Sequence, residues 1–221
     1  YPETFPGLLA GGIYGKAMRN GLWSLKTVNI RDYADDKHKT VDDTVFGGGS
    51  GMLMKPDIVA NSLDKNISKG EKIFYLSPKG KKFNQSFANS LSKQNGINLI
   101  CGHFEGVDDR LLSTRNIEEI SIGDYILSGG ETAAFVILDA VLRLIPGVLG
   151  NKDSIKDETF ENSLLEYPQF TKPKTWEGKS VPDVLFSGDH AKIKSWRLSR
   201  SEDITRRQRP DLWEKYLKDK K

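Results

Sequence analysis

Three short apolar segments, each running into turn residues, limit what this 221-residue chain can build. Ile73-Phe74-Tyr75-Leu76 stops at Ser77-Pro78-Lys79-Gly80, Asn98-Leu99-Ile100-Cys101 at Gly102, and Tyr125-Ile126-Leu127 at Ser128-Gly129-Gly130. Apolar runs of this length between turn signals read as buried strands. Between the first two, Phe83 to Asn95 carries Phe87 and Leu91 at helical spacing, which makes a strand–helix–strand unit. The clearest helix is Glu131 to Leu144, apolar around most of its circumference through Ala133, Ala134, Val136, Ile137, Ala140 and Val141, and ended by Ile145-Pro146-Gly147. Buried strands alternating with helices predict an α/β fold with a mainly parallel sheet covered by helices.

The second part of the chain reads differently. From Asn151 to Asn162 the sequence NKDSIKDETFEN is polar, charged and without periodicity, so a mobile linker is expected over 151–165. It separates a core domain over 1–150 from a small, mostly helical domain over 166–221. There Pro168, Pro173 and Pro182 keep the chain irregular until Val184-Leu185-Phe186, and a helical tail broken at Pro210 starts at Ala191. Charge divides in a similar way. Residues 190–221 hold eleven Lys and Arg against five acids, whereas residues 1–189 hold twenty-two against twenty-five. A basic tail interleaved with Trp196, Trp213 and Tyr216 suits a polyanion, because cations neutralise phosphates while aromatic faces stack. A solvated helix end with core tryptophans explains the same residues equally well.

A single cysteine, Cys101, excludes a disulfide framework and a cysteine-rich zinc site. With only His38, His103 and His190 besides, no metal site stands out. No apolar run approaches the ~18–20 residues that cross a bilayer, and no basic-then-apolar leader marks secretion, so a cytoplasmic location without a membrane partner is expected. The first residue is Tyr1 rather than Met, and a short segment, a strand, is expected ahead of it.

Several loops carry candidate chemistry. Gly47-Gly48-Gly49-Ser50-Gly51-Met52 lacks the Lys-Ser/Thr pair of a phosphate-binding P-loop and the spacing of a dinucleotide fingerprint. Its glycines let backbone approach a flat ligand, and they serve a flexible surface loop just as well. Cys101-Gly102-His103-Phe104-Glu105-Gly106 follows a strand, where α/β proteins bind ligands. Glu105 there is a proton or N–H acceptor or an ordinary loop carboxylate. Ser128-Gly129-Gly130-Glu131 opens the buried helix, either as a backbone N–H site or as a tight turn whose acid suits the helix dipole. Arg143, one turn before Pro146 in an apolar helix, needs a partner or solvent, and a structural salt bridge accounts for it. Asp157 and Glu158 read by themselves as solvated charge.

Taken in order, GGGSGM, YLSPKG, CGHFEGVDDR, SIGDYILSGGE, RLIPGVLG and SGDHAKIKSW resemble the bacterial tRNA (guanine-N1)-methyltransferase family, over Tyr1 to about Leu212. That family belongs to the trefoil-knotted, SPOUT-type methyltransferases. The resemblance implies an N-terminal α/β domain whose C-terminal part threads a deep knot. It also implies S-adenosylmethionine bound bent among Leu76, Ser77 and Pro78, then Gly102 and Glu105, then Ile122, Tyr125, Leu127, Gly129 and Gly130. The family works as an antiparallel homodimer with a shared active site. It methylates N1 of the tRNA guanosine 3′ of the anticodon, position 37, where a second guanosine precedes it.

By the same resemblance Arg143 would steady charge on guanine O6, and a linker carboxylate would take the N1 proton. The family has aspartate where this chain has Glu158; Glu158 is the expected base, with Asp157 beside it as the alternative. His38, Asp43, Gly51 and Met52 would hold the guanine, and Trp196-Arg197 the anticodon arm. A magnesium dependence is a family expectation that no residue cluster displays. Two rivals remain: a knotted methyltransferase acting on another RNA target, and a catalytically impaired RNA-binding protein.

Overall fold

The computed structural model describes residues 1–150 and 163–220. The chain divides into two units, Tyr1–Gly150 and Asn151–Lys221. The first opens with short 3-10 turns and α1 (Gly12–Arg19). A hairpin follows, β1 (Asp42–Thr44) and β2 (Met52–Met54), then α2 (Pro56–Asn66), whose proline stands at the helix start where a missing N–H costs nothing. Strand β3 (Ile73–Lys82) leads through α3 (Gln85–Ser92), capped by the Asn84 side chain, to β4 (Asn98–Ile100). Then α4 (Asp109–Thr114), capped by Asp108, leads to β5 (Glu118–Ser121) and α5 (Gly130–Leu142).

The sheet has the order β4-β3-β5, and both pairings are parallel. Along β3, Ile73 and Tyr75 enter one core with Val59, Leu63, Ile100 and Leu111, while Phe74 and Leu76 enter another with Ala88, Leu91, Ala134 and Ile137. Side chains alternate across a strand, so burial of four consecutive residues requires helices on both faces. That is why this run carries no polar residue before Ser77. A third cluster, Leu9, Ala17, Trp23, Leu138, Leu142 and Val148, fastens α1 to the end of α5.

One strand differs from its expected place. Tyr125-Ile126-Leu127 is not in the sheet; the third strand is Glu118–Ser121, paired with β3. As an edge strand it has one neighbour and buries only Ile120 and Ser121, so two glutamates are tolerated at its start. The apolar triplet lies in the loop that follows, with Ile126 81% exposed. Leu76 and Lys81 both pair with Ile120, so residues 77–80 bulge out of the ladder.

In the second unit a two-residue hairpin, β6 (Thr175–Trp176) and β7 (Lys179–Ser180), precedes a 3-10 turn at Asp183–Phe186. Helix α6 (His190–Gln208), capped by Asp189, gives way to α7 (Pro210–Asp219) at the expected proline. The expected linker carboxylates Asp157 and Glu158 lie outside the described residues. Among the described residues no helix is long and apolar enough to cross a membrane.

Candidate active site

In a parallel sheet all strands point the same way, so the bulge that interrupts β3 after Leu76 and the loops that follow β4 and β5 leave from one edge. Leu76, Ser77 and Pro78 lie at the bulge, Gly102 and Glu105 in the second loop, and Ile122, Tyr125, Leu127 and Gly129 in the third, which ends at Gly130 as α5 begins. Leu76 and Ser77 are buried and Pro78 is exposed, with the Ser77 hydroxyl accepting from the Lys79 amide at 3.2 Å. The second and third loops touch directly, for the Gly130 amide donates to the Gly102 carbonyl at 2.9 Å. A Cβ at Gly130 would stand 2.6 Å from Cys101 Cα, so only glycine lets the start of α5 approach β4 this closely.

The hairpin joins the same edge. The Glu105 amide donates to the Met52 carbonyl and the Met54 amide to the Gly106 carbonyl, both at 2.9 Å. The Glu105 side chain lies on Gly51, where a Cβ would stand 2.4 Å from its Oε1. Asp43 sits opposite Leu53 in the hairpin register, and its carboxylate accepts from the Thr44 amide at 2.7 Å. Between the strands, Gly47, Gly48, Gly49 and Gly51 all adopt positive φ, which L side chains resist. His38 occupies the exposed turn before β1, its amide bonded to Asp36 at 3.0 Å.

Two features of this edge carry no local signal in the sequence. His103 Nε2 stands 2.9 Å from both carboxylate oxygens of Glu131, tying the second loop to α5. Burial works to raise the Glu131 pKa, but the His103 hydrogen bond and the local backbone N–H outweigh it and hold the carboxyl below its ordinary value. Tyr75 backs Gly102 with its ring and Gly106 with its hydroxyl, where added Cβ atoms would meet them at 2.7 and 2.9 Å. Burial first, then the Glu131 charge, pushes the Cys101 thiol up to about 12, so it stays protonated at neutral pH and is no nucleophile.

Arg143 is not at this edge. It caps the far end of α5, about 20 Å along the helix from Gly130. Its charge acts on Tyr14, whose hydroxyl donates to Asp139 Oδ1 at 2.9 Å; burial, then that bond, pushes the phenol up to about 12 despite the guanidinium. Trp196 and Arg197 lie on α6 of the second unit. A cavity of about 480 Å³ runs along β4 and shares His103, Phe104 and Glu131 with the loop cluster. Among the described residues no group of three or more His, Cys, Asp or Glu could hold a metal ion.

Residues 1–215 match the family described as tRNA (Guanine-1)-methyltransferase TrmD. A curated protein of Pelagibacter ubique, named tRNA (guanine-N(1)-)-methyltransferase, is 72% identical over 218 residues, covering 99% of this chain and 96% of that protein. Proteins of the same name from Brucella canis and Brucella ovis are each 53% identical over 221 residues, covering all of this chain and 90% and 91% of theirs. With glycine-bearing loops at one sheet edge and a match spanning both units, the chain belongs to the tRNA (guanine-1)-methyltransferase family.

Proposed function

We propose that this protein transfers a methyl group from S-adenosylmethionine to N1 of guanosine 37 in tRNA, in the cytoplasm where tRNA resides. The observation that carries the reading is the meeting of the loops after β4 and β5 with the glycine hairpin, through Gly102–Gly130 and Glu105–Met52. The donor set suits the methyl donor: bare backbone at Gly102, Gly129 and Gly130, exposed Tyr125 and Leu127 for an adenine face, and the exposed Glu105 carboxylate for a cationic or hydroxyl group. The sulfonium supplies an electrophilic methyl group. In this reading the chain past β5 threads a trefoil knot, which is what would hold the three loops together.

Guanine N1 carries a proton at neutral pH, so a carboxylate must take it as the nitrogen attacks. Glu158 would serve, with Asp157 as the alternative. Asp43, the positive-φ backbone at Gly51 and the adjoining Met52 would face the guanine edge, with His38 at the loop before them; a carboxylate accepts the base's N–H donors. Arg143 would steady negative charge growing on O6. Its distance from Gly130 within one chain favours a site built between two antiparallel copies, each lending the other its α5 end. Trp196 and Arg197 would grip the anticodon arm.

The test is methyl transfer from labelled S-adenosylmethionine to two tRNA transcripts, one with guanosine and one with adenosine at position 37. Transfer to the first alone supports donor, substrate and target base together. Transfer to both moves the target elsewhere on the RNA. Binding without transfer to either would leave an RNA-binding protein.

A further inference from the structure

Trp196 and Arg197 belong to an aromatic groove confined to the second unit, and the rest of its lining has no part in the chemistry above. Its volume is about 910 Å³, near the top of the ~300–1,000 Å³ range of pockets that take small ligands. Tyr167, Phe170, Phe186 and Trp196 line it. The Phe170 and Trp196 rings are 6.3 Å apart and tilted by 52°. Phe170 is 48% exposed and Phe186 56%, and apolar surface gathered in a concavity marks a binding face.

Among the described residues the charges in the groove have one sign: Lys172, Lys174 and Arg197 line it and no carboxylate does. Two of these cations already lie against aromatic faces: Lys174 Nζ is 4.6 Å from the centre of the Phe186 ring, and the Arg197 guanidinium 4.8 Å from that of Tyr167. Asp183 reaches Lys174 at 3.6 Å from outside the lining, but its side chain is 96% exposed, so water screens that pair.

This combination selects its occupant. A purely apolar partner would leave three cations without use, and a bare phosphate would have no need of four aromatic walls. A flat base joined to phosphates engages both. We propose that the groove takes an unpaired nucleobase of the RNA substrate, stacked on Phe170 and Phe186, with the adjoining phosphates on Lys172, Lys174 and Arg197. The proposal rests on the reading that this protein acts on tRNA. It assigns the groove to stacking rather than to phosphate contact alone.

The experiment uses the full-length protein and measures tRNA affinity by fluorescence anisotropy across a salt series, with methyl transfer by the unaltered protein recorded alongside. Phe170→Leu and Phe186→Leu should each weaken binding by about fivefold to 100-fold without changing the salt slope. Phe170→Tyr and Phe186→Tyr should keep the affinity, because a phenol ring still stacks. Lys172→Met should lower the slope by about 0.7–0.9, one phosphate contact. Unchanged affinity in both leucine variants overturns the proposal, as does a loss that tyrosine does not rescue. Altered sedimentation at unchanged tRNA affinity also overturns it and makes the groove an interface between copies. If the unaltered protein methylates tRNA while the leucine variants bind normally, only the groove assignment fails. If it neither binds nor methylates tRNA, the functional reading fails with it.

Discussion

The two units are held together by different means. Among the described residues every fully buried apolar side chain, from Leu9 to Val148, lies in the first unit, while the buried residues of the second are Ser163, Ser201 and Thr205. The first unit is a sheet packed on both faces, able to fix loop backbones at contact distance. The second has helices pinned by polar contacts: the Thr205 hydroxyl donates to the Ser201 carbonyl at 2.7 Å and accepts from the Leu165 amide at 2.8 Å. Its aromatic side chains stay half-exposed along a groove instead of closing into a core. A methyl donor must be held to a fraction of an ångström, and that suits the first construction. A basic, aromatic surface that is not spent on its own core suits RNA, and the second unit has kept one.

The sharpest way to break this comparison is inside the first core. Ile137 is fully buried between α5 and the sheet, so Ile137→Ala should cost about 2–5 kcal/mol. Hydrogen exchange should show β3 amides losing protection while α6 amides keep theirs. Equal losses in both elements would mean the units do not unfold separately. Arg143→Ala tests function at the end of the same helix. Turnover should fall about 100-fold to 1,000-fold while S-adenosylmethionine affinity, measured by calorimetry, barely moves. Loss of both together would make the arginine a structural partner of Tyr14 and Asp139 only.

Thr205→Val keeps the shape of the side chain and removes both hydrogen bonds of the second unit's polar pin. The Leu165 amide is then left without its acceptor, and the cost should be about 1–2 kcal/mol. Exchange at Leu165 should accelerate while β3 amides stay unchanged. A comparable loss in β3 would show that the pin also stabilises the first unit.

Much of the fold was legible because its strongest elements are chemically uniform. Burial on both faces writes β3 as an unbroken apolar run, and α5 reads as apolar on most of its circumference up to its proline, although its outer side, with Val136 45% exposed, is not buried. Strand β5 was missed for the opposite reason. An edge position lets Glu118 and Glu119 stay wet, and the eye goes to the exposed triplet Tyr125-Ile126-Leu127. The loops of the candidate site were legible through their glycines, but not which loops touch. His103 and Glu131 are 28 residues apart, and neither carries a mark of the other. Such a pair is made by the parallel sheet, which brings strand ends together that the sequence keeps separate.

That pair offers the smallest effect and a clean sign. The Glu131 carboxyl is held below its ordinary value of 4.5 when folded, so its ionised form favours the folded state. The contribution is complete above pH 4.5 and is lost as the pH falls through the folded value. Glutamine keeps the size and removes the titration. Glu131→Gln should therefore be less stable than the unaltered protein at pH 6, by less than about 1 kcal/mol for a pair at a partly open edge. The gap should narrow steadily as the pH falls below 4.5, in a series of urea titrations. A gap that stays constant over that range would mean that Glu131 acts through packing at the start of α5, and the charge would drop out of what joins the second loop to the helix.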